Sequence, residues 1–190
     1  MPAPPGPLAE SCARSPYPLR HLLNTDPLLP LHDFFITLGG GSAALLGLLF
    51  VAVSVNARHI VSHEDTKELA RQTFITFVSV LIYALFMLLP QPLGYLAFEI
   101  GIASAIMVLI AGPRFVRSLV RRGDHLPRRT QILRYGLTLA LQLVILAAAV
   151  ELERGDVNAA SWLIGTEIAL LVGAVRNSWE MLIELGGEPE

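Results

Sequence analysis

The sequence predicts an all-α fold, an integral membrane bundle of five transmembrane helices with its N-terminus outside the cell and its C-terminus inside. Hydrophobic residues make up 53% of the 190 residues and charged residues only 16%, with a mean hydropathy of +0.56. A soluble domain carries about 25% charged residues. The charges also concentrate between apolar runs of about twenty residues, the length that crosses a bilayer. We therefore expect a multi-pass protein of the cell inner (plasma) membrane.

Five apolar runs define the predicted helices. Pro90 follows the second run and Pro113 follows the third, and a proline usually ends or kinks a helix because it removes a backbone hydrogen bond. The short link Leu-Pro-Gln-Pro at 89–92 leaves room for only a tight turn between two antiparallel helices. The predicted spans cover residues 33–55, 72–89, 93–112, 131–150 and 159–181.

Lysine and arginine residues in the loops predict the orientation. They are frequent in the first and third loops, absent from the second, and represented in the fourth by Arg154 alone. Basic loops stay in the cytoplasm, which places the basic loop at 113–130 there. Residues 1–30 hold eight of the thirteen prolines, so we expect a disordered tail ahead of a membrane domain at 31–187.

The basic loop predicts contact with anionic lipid headgroups at the cytoplasmic face. Each arginine near an anionic surface contributes about 1 kcal/mol to such binding. An acidic cytosolic partner is the alternative. The arginines concerned are Arg114, Arg117, Arg121, Arg122, Arg128 and Arg129.

Glu99 and Glu167 lie inside the third and fifth apolar runs, each in the pattern small-x-Glu-Ile-small. A carboxylate in a membrane span costs a few kcal/mol or more, so it normally faces a partner or a wet cavity. The shared pattern indicates either a tandem helical hairpin or chance similarity between two apolar helices. If the two carboxylates converge, they form a site for a proton or cation. Alternatively, each bonds a polar neighbour such as Tyr83 or Gln142 and holds helices together.

Small residues recur every three or four positions on three of the predicted helices. Such ridges let membrane helices approach closely, within one chain or between copies of a homo-oligomer. Both uses are compatible with the pattern. The ridge residues are Gly39, Gly40, Ala43 and Gly47 in the first span, Ala97 and Gly101 in the third, and Gly165, Ala169 and Gly173 in the fifth.

Catalytic and metal-binding patterns give little to support an enzyme. Cys12 is the only cysteine, and no complete zinc motif or nucleophilic triad occurs at a recognisable spacing. We expect no cofactor, no metal and no nucleic-acid partner, although the net charge of −2 says nothing about nucleic acid by itself. The leading prediction is a non-enzymatic, oligomeric membrane protein with an interaction or regulatory role, whose partner is a second copy or another membrane protein. The alternative is an oligomeric channel or proton/cation-coupled transporter using Glu99 and Glu167.

The first span, FFITLGGGSAALLGLLFVAVSVN from Phe34 to Asn56, resembles the first helix of a group of small polytopic membrane proteins of high-GC bacteria. Their function is uncharacterised, and some carry the automatic label of modulator of a membrane-bound ATP-dependent protease. The resemblance implies a polytopic membrane protein and no catalytic residues. The better-known modulators of that protease have about seven spans, whereas this chain has room for five.

Overall fold

A computed structural model describes residues 31–120, 128–156 and 158–186. These ranges contain six helices and no strand, and the chain order is α1 to α6. Backbone dihedrals are ordinary throughout, with Gly155 the one described residue at positive φ. The helices are α1 (His32–Val55), α2 (Ala57–Ser62), α3 (Glu64–Leu88), α4 (Leu93–Val120), α5 (Arg128–Glu153) and α6 (Ala159–Gly186).

Five of the six described helices, all except the short α2, are long and apolar enough to cross a membrane. This confirms the number and the approximate limits of the predicted spans. The N-terminal tail at 1–30 lies outside the described residues, as do Arg121 and Arg122. The orientation in a membrane stays a prediction.

The predicted end of the third helix at Pro113 is wrong, because α4 continues through Pro113 to Val120. The predicted loop at 113–130 is therefore helical at both of its ends. Tertiary contacts explain the continuation. The guanidinium Nε of Arg114 lies 3.0 Å from Glu68 Oε1 in α3, and a Cβ atom placed on Gly136 of α5 would lie 3.2 Å from Phe115 Cε2.

The long helices form a ring of four with α1 on the outside. α3 packs on α6, α6 on α5, and α5 extensively on α4, while α4 closes the ring with a lighter contact to α3. α1 packs mainly on α3, which makes α3 the most buried of the candidate spans. The heaviest contact, between α4 and α5, joins the two predicted hairpins. Within the hairpins, the contact between α3 and α4 is lighter than the contact between α5 and α6. The tandem repeat stays a prediction.

The two ends of the ring differ in charge. At one end, called the arginine end below, α3 and α5 begin and α4 and α6 finish, with Arg114, Arg134 and Arg176 on them. At the other, called the link end, residues 89–92 and 154–158 connect the helices. Apolar side chains fill the ring towards the link end, including Val80, Ile100, Ile145 and Leu163.

Small residues make two of the close helix contacts. A Cβ atom on Gly39 of α1 would lie 3.3 Å from Ala84 Cβ in α3, and one on Gly101 of α4 would lie 3.8 Å from Ala149 Cβ in α5. Ala97 is buried beside them. By contrast, a Cβ on Gly40, Gly47, Gly165 or Gly173 would meet nothing described within 4 Å, and Ala43 is exposed. Ala169 is half-buried.

Gly39→Leu is expected to destabilise the protein by about 1–3 kcal/mol, because the new side chain has to displace α3. Gly40→Leu is the matched control, since it makes the same gain in helix propensity without meeting a described neighbour. SDS titration in mixed micelles gives both free energies of unfolding. Equal stability of the two variants would contradict the close α1–α3 contact.

Candidate functional site

Glu167 lies in the first third of α6, with its side chain fully buried inside the ring. Neither of its carboxylate oxygens accepts or donates a hydrogen bond among the described residues. Burying an isolated charge without a partner costs far more than any single hydrogen bond returns. The group can therefore remain there as the neutral acid or with a cation close to it.

Glu99 has a different environment on α4. Its side chain is half-buried, and its Oε2 accepts a hydrogen bond from Gln91 Nε2 at 2.8 Å. Gln91 belongs to the link at 89–92, so this bond fixes the start of α4 to the turn before it. The two glutamates are thus not equivalent, and their carboxylates make no hydrogen bond to each other.

Buried polar side chains continue from Glu167 into the ring. Tyr83 of α3 is close enough to Glu167 to interact with its charge, but no hydrogen bond joins the two side chains. The Tyr83 hydroxyl donates a hydrogen bond to Gln142 Oε1 at 2.7 Å. Gln142 Nε2 in turn points to Ser79 Oγ at 3.4 Å, and Ser104 Oγ donates to the Gln142 carbonyl at 2.7 Å. Gln142 of α5 therefore joins α3 and α4 in the middle of the bundle.

The same series reaches the arginine end. Ser79 donates to the Thr76 carbonyl at 2.8 Å. Gln72 Nε2 donates to Thr138 Oγ1 at 3.1 Å, and Thr138 donates to the Arg134 carbonyl at 3.1 Å. Residues Glu167, Tyr83, Gln142, Ser79, Thr76, Gln72 and Thr138 are called the polar column from here on.

A cavity of about 20 Å³ lies beside the column between α3, α4 and α5. Gln72, Thr76 and Thr138 line it, and Gln72 Oε1 is a buried acceptor without a donor among the described residues. A cavity of this volume has room for one water molecule, which could donate a hydrogen bond to Gln72 Oε1 although much of the wall is apolar. Water held there would bridge the part of the polar column near the arginine end to the part near Glu167.

A larger cavity of about 360 Å³ opens between α5 and α6 at the arginine end. It shares Thr76 and Thr138 with the smaller cavity, so the polar column ends in it. Arg134 forms an ion pair with Glu180 of α6, and Arg176 Nε lies 3.0 Å from the other oxygen of the same carboxylate.

The arginines predicted to bind lipid headgroups are not alike. The Arg114 side chain is largely buried against Glu68, which removes it from the predicted lipid-binding set, because the continued helix turns it towards α3. Arg117 is exposed on α4. Arg128 and Arg129 lie in the first turn of α5, and Arg121 and Arg122 lie outside the described residues.

No protein-family model matches the chain. Comparison with curated proteins and with solved structures likewise finds no significant match. The resemblance of residues 34–56 to uncharacterised bacterial membrane proteins therefore stays a prediction, and function has to be argued from the site itself.

The sequence analysis predicted Glu99 and Glu167 as equal members of one proton or cation site. It did not predict most residues of the polar column. One signal in the sequence does point to it. Gln72, Thr76, Ser79 and Tyr83 follow the spacing i, i+4, i+7, i+11, which places four polar side chains on one face of α3. The partners on α5, Gln142 and Thr138, are also four residues apart.

Glu167→Met is expected to stabilise the protein by about 1–3 kcal/mol, because it replaces an unpartnered buried carboxyl with an apolar side chain of similar length. The comparison variant Glu99→Met breaks the hydrogen bond from Gln91 and should gain less. SDS titration of the free energy of unfolding checks both. Destabilisation of Glu167→Met by more than about 1 kcal/mol would show that the carboxyl holds helices together.

Proposed function

We propose that this chain is a multi-pass protein of the cell inner membrane that moves protons along the polar column, with Glu167 as the group that takes up and releases them. The observation that carries this proposal is the complete burial of Glu167 with both carboxylate oxygens unpartnered. An intramembrane ionisable group that does not serve packing is retained at a cost in stability, which argues for a functional role.

The chemistry of the column favours a proton over a metal cation. Hydroxyl groups and water can each accept a proton and release another, so a proton can pass along the hydroxyls of the column and water in its cavities, while the glutamine amides hold these hydroxyls in place. A metal cation needs several oxygen ligands at once, whereas Glu167 contributes a single carboxylate, and no group of three acidic, histidine or cysteine residues lies together among the described side chains. The larger cavity gives the column access to water at the arginine end.

The proposed orientation in the membrane determines from which side protons reach Glu167. Lysine and arginine favour the cytoplasmic side of membrane proteins, so the arginine end is proposed to face the cytoplasm and the link end the outside. Glu167 is eight residues after the start of α6, about 12 Å along the axis. It therefore lies nearer the outer side, with the column leading from it to the cytoplasmic cavity.

Glu167→Gln is expected to lower proton flux into liposomes at least ten-fold, because glutamine keeps the size of the side chain but cannot ionise. A potassium diffusion potential set with valinomycin drives the flux, and a pH-sensitive dye inside the liposomes reports it. Glu99→Gln is the matched control, since Glu99 lies outside the column, and it should retain wild-type flux.

The proposal is wrong if wild-type liposomes carry no proton flux above that of protein-free vesicles at any potential or pH gradient. Loss of flux in Glu99→Gln to the same extent as in Glu167→Gln would return the two glutamates to one shared site. Flux of potassium or sodium in place of protons would support a cation channel instead.

A second candidate, an interaction or regulatory protein without transport activity, is favoured by the open ridge on α1. Gly40 and Gly47 would carry a Cβ atom without meeting a described neighbour, and Ala43 between them is exposed. Small residues exposed at this spacing suit close contact with a helix of another chain. An oligomer built this way is compatible with either function.

Gly47→Leu is expected to lower self-association at least five-fold, because the leucine side chain blocks close approach along the α1 ridge. Energy transfer between two differently labelled populations in the same liposomes measures the association. Gly41→Leu is the control, since Gly41 is equally open but lies about 100° around the helix from Gly40. Absence of energy transfer in the wild type at every protein density would contradict the oligomer.

A further inference from the structure

The cavity of about 360 Å³ between α5 and α6 has two kinds of wall. Arg134, Arg176, Asn177 and two threonines form its polar part, and Leu133, Leu137 and Leu170 belong to its apolar part. Leu133 and Leu137 are exposed on the outside of the ring. The cavity thus combines cationic and hydrogen-bonding groups with an apolar surface that faces the bilayer in the proposed placement.

Asn177 is the observation that points to a ligand. Its side chain is more than nine-tenths buried, it lines the cavity, and no side-chain hydrogen bond links it to another described residue. The Asn177 amide is not among the fully enclosed unpartnered groups, so its donors and its acceptor are accessible from the cavity. A polar group occupying the cavity would satisfy it.

The charges define the ligand as an anion. Arg134 and Arg176 share one internal carboxylate, that of Glu180, so the two guanidinium groups carry one positive charge more than their partner neutralises. Guanidinium groups bind phosphate oxygens with paired hydrogen bonds. Glu180 holds the two arginines together in the absence of such a ligand and competes with it for them.

We propose that this cavity binds the phosphate group of one anionic phospholipid from the cytoplasmic leaflet, with Arg134 and Arg176 on the phosphate, Asn177 as a further hydrogen-bond partner, and an acyl chain along Leu133 and Leu137. The site is separate from the arginines of the 113–130 segment. It rests on the proposed membrane placement, but it does not depend on proton movement through the column.

Native mass spectrometry of the detergent-solubilised protein tests the site, since bound lipid adds a defined mass. Phosphatidylglycerol is expected to bind in a one-to-one complex at least ten-fold more tightly than phosphatidylcholine with the same acyl chains. The double variant Arg134→Gln/Arg176→Gln should lose this preference. Arg154→Gln is the matched control, because Arg154 is exposed at the link end with its own partner Glu151, and it should bind as the wild type does.

Two further variants separate lost binding from lost folding. Asn177→Asp keeps the size of the side chain and adds a negative charge to the cavity, so binding should fall at least ten-fold. Glu180→Gln removes the competing carboxylate, so phosphatidylglycerol should bind several-fold more tightly, a gain that misfolding cannot produce.

Four results would each overturn the proposal: equal binding of the two lipids, wild-type binding by the double arginine variant, weaker binding by Glu180→Gln, or displacement of the lipid by an equal concentration of soluble glycerol 3-phosphate. The last result would assign the site to a free phosphate compound. Lipid binding is measured without a gradient, so a failure here is distinguishable from a failure of the proton pathway.

Discussion

The position of α3 at the centre of the bundle determines most of the remaining structure. It contacts α1, α4 and α6, so its sides must satisfy different neighbours. One side is small enough at Ala84 for Gly39 of α1 to approach. Its polar face meets α5 at Gln142 and Thr138. Since a bilayer offers no water to a polar side chain, these groups must find their partners inside the ring, and that requirement fixes how α3, α4 and α5 are placed.

Other buried polar side chains in the ring have hydrogen-bond partners, whereas the Glu167 carboxylate has none among the described residues. Ser79, Ser104 and Gln142 are buried as deeply, yet each takes part in a hydrogen bond. Interhelical hydrogen bonds in membranes contribute about 0.6 kcal/mol each on average, so the column alone is a modest source of stability. An unpartnered carboxyl at its end removes more than one such bond supplies. Stability therefore does not explain Glu167, which is the reason for proposing that it takes part in proton transfer.

The sequence was sufficient for the number of candidate spans, although not for the short α2, because span length and apolar composition are local properties of each segment. It was also sufficient to find the two intramembrane glutamates. It could not distinguish them, because the difference arises from how the side chains are placed in the folded chain. Gln91, on the turn before α4, donates a hydrogen bond to Glu99, whereas Glu167 faces a ring formed by three other helices. The same reason explains the error at Pro113. The local rule for proline is outweighed there by Arg114 on Glu68 and by Phe115 beside Gly136, neither of which a single segment reveals.

At the arginine end, one residue pair connects the polar column to the larger cavity, which lies at the cytoplasmic surface in the proposed placement. Thr138 donates to the backbone of Arg134, and the side chain of Arg134 reaches Glu180 across the cavity. An anion that binds the Arg134 side chain in place of Glu180 therefore contacts the residue whose backbone carbonyl accepts the last hydrogen bond of the polar column. Coupling between two sites requires that each ligand bind the alternative arrangements with different affinity. A phosphate group in the proposed lipid site would meet that condition by replacing Glu180 as the partner of both arginines. Lipid composition of the cytoplasmic leaflet would then change the access of Glu167 to water without any contact to Glu167 itself.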